Sequence, residues 1–186
     1  MQPLYGTDTH ESTYRMPAPW GSLVLTTAFD SLWSIEAELN AVAEPDAAPE
    51  FVIAWMQRLE NMISSLAPLS QDVLDLLLAS PRLQGASNLT RKVLGAVATI
   101  PPGNFRTYAE IALACGNPNA ARAVGRILAA IPFIVLIACH RVVAADRIRR
   151  MDITEPQTLM PVAYCGRKEL APVAAWLRLN DMASAV

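Results

Sequence analysis

The side chains with the most chemistry in this sequence sit together in "FIVLIACHRVVAAD", Phe133 to Asp146. Six apolar or small residues lead into Cys139, His140 and Arg141, and two valines then return the chain to burial. A free thiol has a pKa of about 8.5 and is only a few per cent ionised at neutral pH, so a nucleophilic cysteine needs a neighbour that takes its proton or stabilises the thiolate. His140, one of only two histidines, can do either. Successive residues of a regular strand face opposite sides, so direct contact requires the strand to end at Cys139, or else a bridging water. A buried structural cysteine beside a surface His-Arg pair is the alternative that the tripeptide alone leaves open. Cys115 and Cys165 have no comparable partner in sequence and are read as structural. Three cysteines without a CxxC, and His10 and His140 without an HxxxH spacing, fit reduced thiols in a cytosol better than a disulfide framework and argue against a zinc site.

Several elements must hold these residues. Leu23 to Ala28 and Leu32 to Ala37 are β-prone runs broken at residues 29–31, as in an antiparallel hairpin or meander. Residues 41–50 are loop-like. Phe51, Trp55, Leu59, Met62 and Ile63 recur at helical spacing within 51–66, and a second helix is expected over Gln71 to Ala79 behind a Ser70 cap. "SPRLQGASNL", residues 80–89, reads as a boundary between an amino-terminal domain, 1–86, and a carboxy-terminal one, 87–186. Beyond it a helix starts at Ser87 or Asn88 and buries Leu89, Val93, Leu94 and Val97. Thr107-Tyr-Ala-Glu110 has the capping-box pattern, and its helix stops at Gly116. Asn117-Pro118 then opens a further helix that ends before Pro132. This pair is a helix-turn-helix candidate, although a helical hairpin that binds nothing has the same pattern. Ala120, Ala121, Ala123 and Gly125 leave the second helix nearly bare, which implies that another element or a groove wall approaches its backbone. Arg122 is the long cation among them. The fold class is therefore α/β in the α+β sense: a small domain with an antiparallel sheet and helices, then a mainly helical domain.

At 53% hydrophobic and 17% charged, the 186 residues describe a folded chain with a substantial core. No apolar run reaches the roughly 18 residues of a membrane span, and the first 15 residues lack a secretory signal; a soluble cytoplasmic protein is expected, nuclear if the source is eukaryotic. Residues 1–100 carry 5 Lys or Arg against 11 Asp or Glu, whereas residues 101–186 carry 10 against 6. The basic excess thus accompanies the cysteine and the helix-turn-helix candidate, which suits nucleic acid, although a solvated face carries the same charge.

"IPPGNFRTYAEIA", "GNPNAARAVG" and "IPFIVLIACHRVV", in this order and spacing, resemble the carboxy-terminal domain of the O6-alkylguanine-DNA alkyltransferases, over about Ser87 to Ala144. "MPAPWGSLVLT" resembles, more weakly, the opening of that family's amino-terminal domain. The resemblance implies a single-turnover methyltransferase that repairs DNA by moving the alkyl group of O6-alkylguanine onto its own cysteine. Its implied partner is double-stranded DNA, bound as a monomer without metal or organic cofactor. Cys139 would be the acceptor and His140 a water-linked base. Arg122 would enter the base stack and Tyr108 would help turn the target nucleotide out. The helix from Pro118 to Ala130 would lie in the minor groove, with Ala120 and Ala121 allowing close approach, and the Val142 carbonyl would face the guanine. Flipping a base costs a few kcal/mol, and an inserted side chain fills the gap it leaves.

Four departures stand out. Ala138 replaces the proline before the nucleophile, and Ile131 replaces an asparagine that ties the recognition helix to the active-site segment. The loop from Arg147 to Lys168 is longer than the family's closing loop, and Tyr164 and Gly166 carry no role on this reading. No glutamate can be matched to the residue that orients the histidine; one alignment nominates Asp181 and another nominates nothing acidic. Alkyltransferase-like proteins, which bind damage without transfer, are the alternative, and a structural or interaction protein that has kept the motif without activity is a third.

Overall fold

The computed structural model describes residues 11–28, 31–40, 47–65, 67–152, 154–159, 161 and 163–184. Three antiparallel strands, β1 (Ser12–Ala18), β2 (Gly21–Ala28) and β3 (Ser31–Leu39), form a meander in the order β1-β2-β3. The two β-prone runs are β2 and β3. β1 escaped the sequence because its polar alternation is interrupted by Pro17, a residue that a sheet tolerates at an edge strand such as this. Of the expected loop at 41–50, residues 41–46 lie outside the described residues, as does His10.

Two helices cover this sheet, α1 (Glu50–Ser65) and α2 (Gln71–Ala79). Trp55 and Leu59 are buried as their spacing requires, with Val52 beside them, while Phe51, Met62 and Ile63 are half-buried against the same core. Ser70 stands in the cap position of α2, but its side chain accepts no capping hydrogen bond. After a short turn of 3-10 helix, Pro81–Leu83, comes α3 (Asn88–Ala98), whose first turn is closed by Ser87 Oγ accepting from the Thr90 amide.

A two-residue strand β4 (Arg106–Thr107) leads into α4 (Tyr108–Ala114). The capping box is present in full: Glu110 N donates to Thr107 Oγ1 at 3.1 Å, and Thr107 N donates to Glu110 Oε2 at 2.6 Å. Gly116 closes the helix at φ +77°, a left-handed value that glycine adopts without steric cost. The next helix, α5, is Ala121–Ala130 and not Pro118 to Ala130. Asn117-Pro118-Asn119-Ala120 instead make a turn, in which the Ala120 amide donates to Asn117 O at 2.9 Å and the Asn117 side chain donates back to Cys115 O. Asparagine is thereby used one step earlier than its capping propensity suggested.

From Ile131 to Val143 every side chain is buried except that of Pro132, which is half-buried. β3 fixes this segment from beneath: Ile35 N donates to Pro132 O at 2.7 Å and Ile134 N donates to Ile35 O at 3.3 Å. The remaining elements are β5 (Val142–Val143), parallel to β4, then α6 (Ala145–Ile148) and α7 (Ala171–Ser184). One apolar cluster runs from Met16 and Leu23 through Val93 and Val124 to Leu177, so the sheet and the carboxy-terminal helices share a core. No described helix is long and apolar enough to cross a membrane.

Candidate active site

Cys139, His140 and Arg141 form one turn of 3-10 helix, not the end of a strand. With three residues per turn, successive side chains point about 120° apart, which resolves how one sequence can send neighbours in three directions. Residues 134–136 before it form a turn, in which Val135 holds φ +69°. A β-branched residue rarely adopts that value, and such strain persists only where the surroundings enforce it. Here the Val135 amide donates to the Tyr164 hydroxyl at 3.3 Å.

Ala138 has φ −70°, inside the range that a proline ring would impose. The backbone therefore reaches the same conformation without the ring. Ile131 ends α5 and is buried in the shared core, so an apolar contact stands where hydrogen bonds are expected from the resemblance.

The cysteine lines a cleft of about 320 Å³, within the size range of small-molecule sites. Tyr108, Val142, Arg147, Tyr164 and Arg178 share its walls with Cys139 and His140. Tyr108 comes from the first turn of α4. Its ring packs over Gly125, where an added Cβ would meet Tyr108 Cε1 at 3.8 Å. That is an ordinary contact, so packing does not demand a glycine there. Ala120 and Ala121 begin α5, and Arg122 is exposed on its first turn, outside the cleft lining.

Asp181 joins His140 after all. The two are 3.2 Å apart, Nε2 to Oδ2, and Arg141 grips the same carboxylate with Nε and Nη2 at 2.7 Å each. Arg141 also donates to Ile100 O at 2.6 Å. Burial works to raise the Asp181 carboxyl, but hydrogen bonds from His140 and Arg141 outweigh it and hold the group below the usual carboxylate range. Burial pulls His140 below its ordinary value, more strongly than Asp181 raises it. The pair is accordingly a neutral imidazole donating from Nε2 to a carboxylate. Nδ1 is then the basic nitrogen; it is buried without a hydrogen-bond partner among the described residues.

Arg178 was not anticipated. Its Nε donates to His140 O at 2.7 Å and its Nη1 to Leu159 O at 2.9 Å, leaving a buried cation in the wall of the cleft. The signal was present in the sequence. From Leu170, just before α7, the buried face runs through Val173, Ala174 and Leu177, and two charged residues, Arg178 and Asp181, continue it.

Cys165 has a neighbour in space that its sequence context does not show. Tyr164 and Arg167 exchange backbone hydrogen bonds at 2.9 Å around a two-residue turn whose centre, Cys165 and Gly166, has φ +48° and +74°. Positive φ at both central residues is the hairpin geometry that favours glycine at the second. Gly166 lies against α5, where a Cβ would come within 3.3 Å of the Ala129 backbone oxygen, and Arg167 reaches Glu36 on β3 at 3.1 Å. The turn places Cys165 Sγ 3.3 Å from Cys139 Sγ. The Cys165 hydrogen bond, followed by those of Tyr164 and the backbone and by the Arg178 charge, holds the Cys139 thiol below its ordinary range despite burial. Cys165 itself is pushed far up by the same contact and by burial, so Cys139 is the sulfur of the pair that gives up its proton more readily. Cys115 is buried elsewhere in the core, and burial raises it.

An antiparallel sheet joined to a helical body is the fold of solved O6-methylguanine methyltransferases. The archaeal O6-methylguanine-DNA methyltransferase of Pyrococcus kodakaraensis strain KOD1 superposes with a TM-score of 0.58 over 90% of this chain and 98% of its own, at 15% identity. Mycobacterium tuberculosis OGT in complex with DNA gives 0.52 over 90% and 98%, at 23% identity. Residues 88–155 match the family model for the 6-O-methylguanine DNA methyltransferase DNA binding domain. A protein of Acanthamoeba polyphaga mimivirus, named a probable methylated-DNA--protein-cysteine methyltransferase, is 49% identical over 56 residues, 30% of this chain and 38% of its own. The chain spans little more than a third of the length of the curated relatives it matches.

Proposed function

We propose that this protein repairs DNA by transferring an alkyl group from O6-alkylguanine in double-stranded DNA to Cys139. The observation that carries the reading is the Cys139 sulfur, held below the ordinary thiol range, in a cleft walled by a neutral His140 that Asp181 orients.

The thiol proton passes to His140 Nδ1 through a water, as in a general base relay, and Asp181 stabilises the imidazolium that forms. Cys139 sulfur then attacks the alkyl carbon, the carbon–oxygen bond breaks, and the proton returns to the departing guanine. Burial, and next the charge on Cys139, raise the Tyr108 hydroxyl, which keeps it protonated at the mouth of the cleft. The thioether left on Cys139 has no easy leaving group, so each molecule acts once. Arg122 on the exposed turn of α5 fills the gap left by the flipped base, Ala120 and Ala121 allow the backbone to approach the minor groove, and Val142 offers its carbonyl to the purine. Arg147 in the cleft wall, with the exposed Arg149 and Arg150 next to it in sequence, adds positive charge for the phosphate backbone. The protein works as a monomer inside the cell.

Incubation with a duplex containing O6-methylguanine, followed by intact mass, tests this. The wild type should gain one methyl in place of a hydrogen, and Cys139→Ala should gain nothing. Binding without any mass gain would instead describe a protein that only marks the lesion, and neither binding nor gain would leave the structural or interaction role. Arg122→Ala should slow transfer from duplex DNA at least tenfold while leaving reaction with free O6-benzylguanine within twofold; equal losses on both substrates would remove the intercalating role.

A further inference from the structure

We propose that Cys139 and Cys165 form a dithiol that hydroperoxides convert to an intramolecular disulfide, making the acceptor sulfur a reversible oxidation site. The sulfurs are already 3.3 Å apart, about 1.3 Å from the covalent distance of about 2.05 Å. Cys165 sits at the tip of a two-residue turn, half-exposed, where a side-chain rotation closes that gap without moving the packed acceptor segment. The roles of the two thiols are unequal in the way such chemistry needs: attack on a peroxide is made by the thiolate, and the second thiol resolves the product.

The steps balance. Cys139 sulfur attacks the terminal peroxide oxygen, the oxygen–oxygen bond breaks, and one proton is taken up to release water from hydrogen peroxide or the alcohol from an organic hydroperoxide; Cys139 is oxidised by two electrons to the sulfenic acid. Cys165 sulfur then displaces the hydroxyl from Cys139 sulfur, its own proton leaves with that hydroxyl as water, and the sulfur–sulfur bond forms. A dithiol reductant reverses the process. Capture by the neighbour keeps Cys139 from the irreversible sulfinic state. While the bond exists no alkyl group can be accepted, a consequence that rests on the function proposed above.

The test uses the DNA-free full chain, so its outcome is independent of alkyl transfer, which is assayed separately on the reduced protein. After brief treatment with hydrogen peroxide, thiols are blocked with iodoacetamide and the protein is weighed intact and peptide-mapped. One remaining alkylatable thiol, Cys115, is expected, together with a crosslink between the peptides of Cys139 and Cys165 that dithiothreitol removes. Cys115→Ser should form the same crosslink. Cys165→Ser should lose it and accumulate dimedone-reactive Cys139, then a sulfinic acid that dithiothreitol does not reverse. If Cys165 stays alkylatable while wild-type Cys139 over-oxidises as fast as in Cys165→Ser, or if Cys139 pairs with Cys115 or with a second molecule, the proposal is overturned.

Discussion

Around the amino-terminal sheet the largest buried side chains are hydrocarbon, Leu23, Leu25, Ile35 and Leu59 among them; apart from hydroxyls and the Trp20 indole nitrogen no polar side-chain atom is buried there among the described residues, and the Arg15–Glu38 pair lies in solvent. Around Cys139 the interior instead holds His140, Arg141, Arg178 and Asp181, with Asp181 0% and Arg141 2% exposed. Burying ions costs several kcal/mol each unless every hydrogen bond is satisfied, and a hydrophobic replacement of equal volume is often as stable. Packing accounts for the first interior. The second is explained by what its charges do to one sulfur and one imidazole.

Substitutions in the two interiors should separate these explanations. Asp181→Ala leaves Arg141 buried without its carboxylate and is expected to cost about 3–5 kcal/mol, read from urea unfolding, and to change the pH dependence of Cys139 alkylation by iodoacetamide. Leu59→Ala should cost about 2–5 kcal/mol through the cavity it leaves yet keep that pH dependence unchanged, because no charge near the sulfur is touched. If both variants shift the thiol alike, the distinction between the interiors fails.

A smaller effect comes from His140. Its folded pKa is depressed by burial, so the folded state resists the proton that the unfolded chain accepts at about 6.5. The stability it contributes is present above that pH and declines as pH falls through it, by up to about 1.4 kcal/mol per unit. His140→Gln should flatten this slope between pH 7 and 5.5. Least affected should be Arg15→Ala, below about 1 kcal/mol, since both partners are well solvated.

Much of this was legible in the residues. Helical spacing gave α1, α2 and α3, and the capping box gave the start of α4, because each is a local pattern with a local cause. Cys139, His140 and Tyr108 line one cleft, and Asp181, nominated by one of two conflicting alignments, lies 3.2 Å from His140. What escaped depends on long-range contact. The apposition of Cys165 with Cys139 joins residues 26 apart through a turn, and the link from β3 to Pro132 joins residues whose sequences show no mutual pattern. The start of α5 was missed for the opposite reason: Asn117 and Pro118 suit a helix start and a turn equally well, and tertiary packing chose the turn.

The two hydrogen bonds between Ile35 and the acceptor segment have a consequence for how the molecule can be taken apart. A fragment beginning at residue 87 would keep every side chain assigned to nucleic acid and still lack the floor under Phe133 and Ile134, which would then face water. The half of the chain given no contact with DNA thus holds the reactive sulfur at its depth, and cutting it away should blunt the chemistry before it weakens the grip.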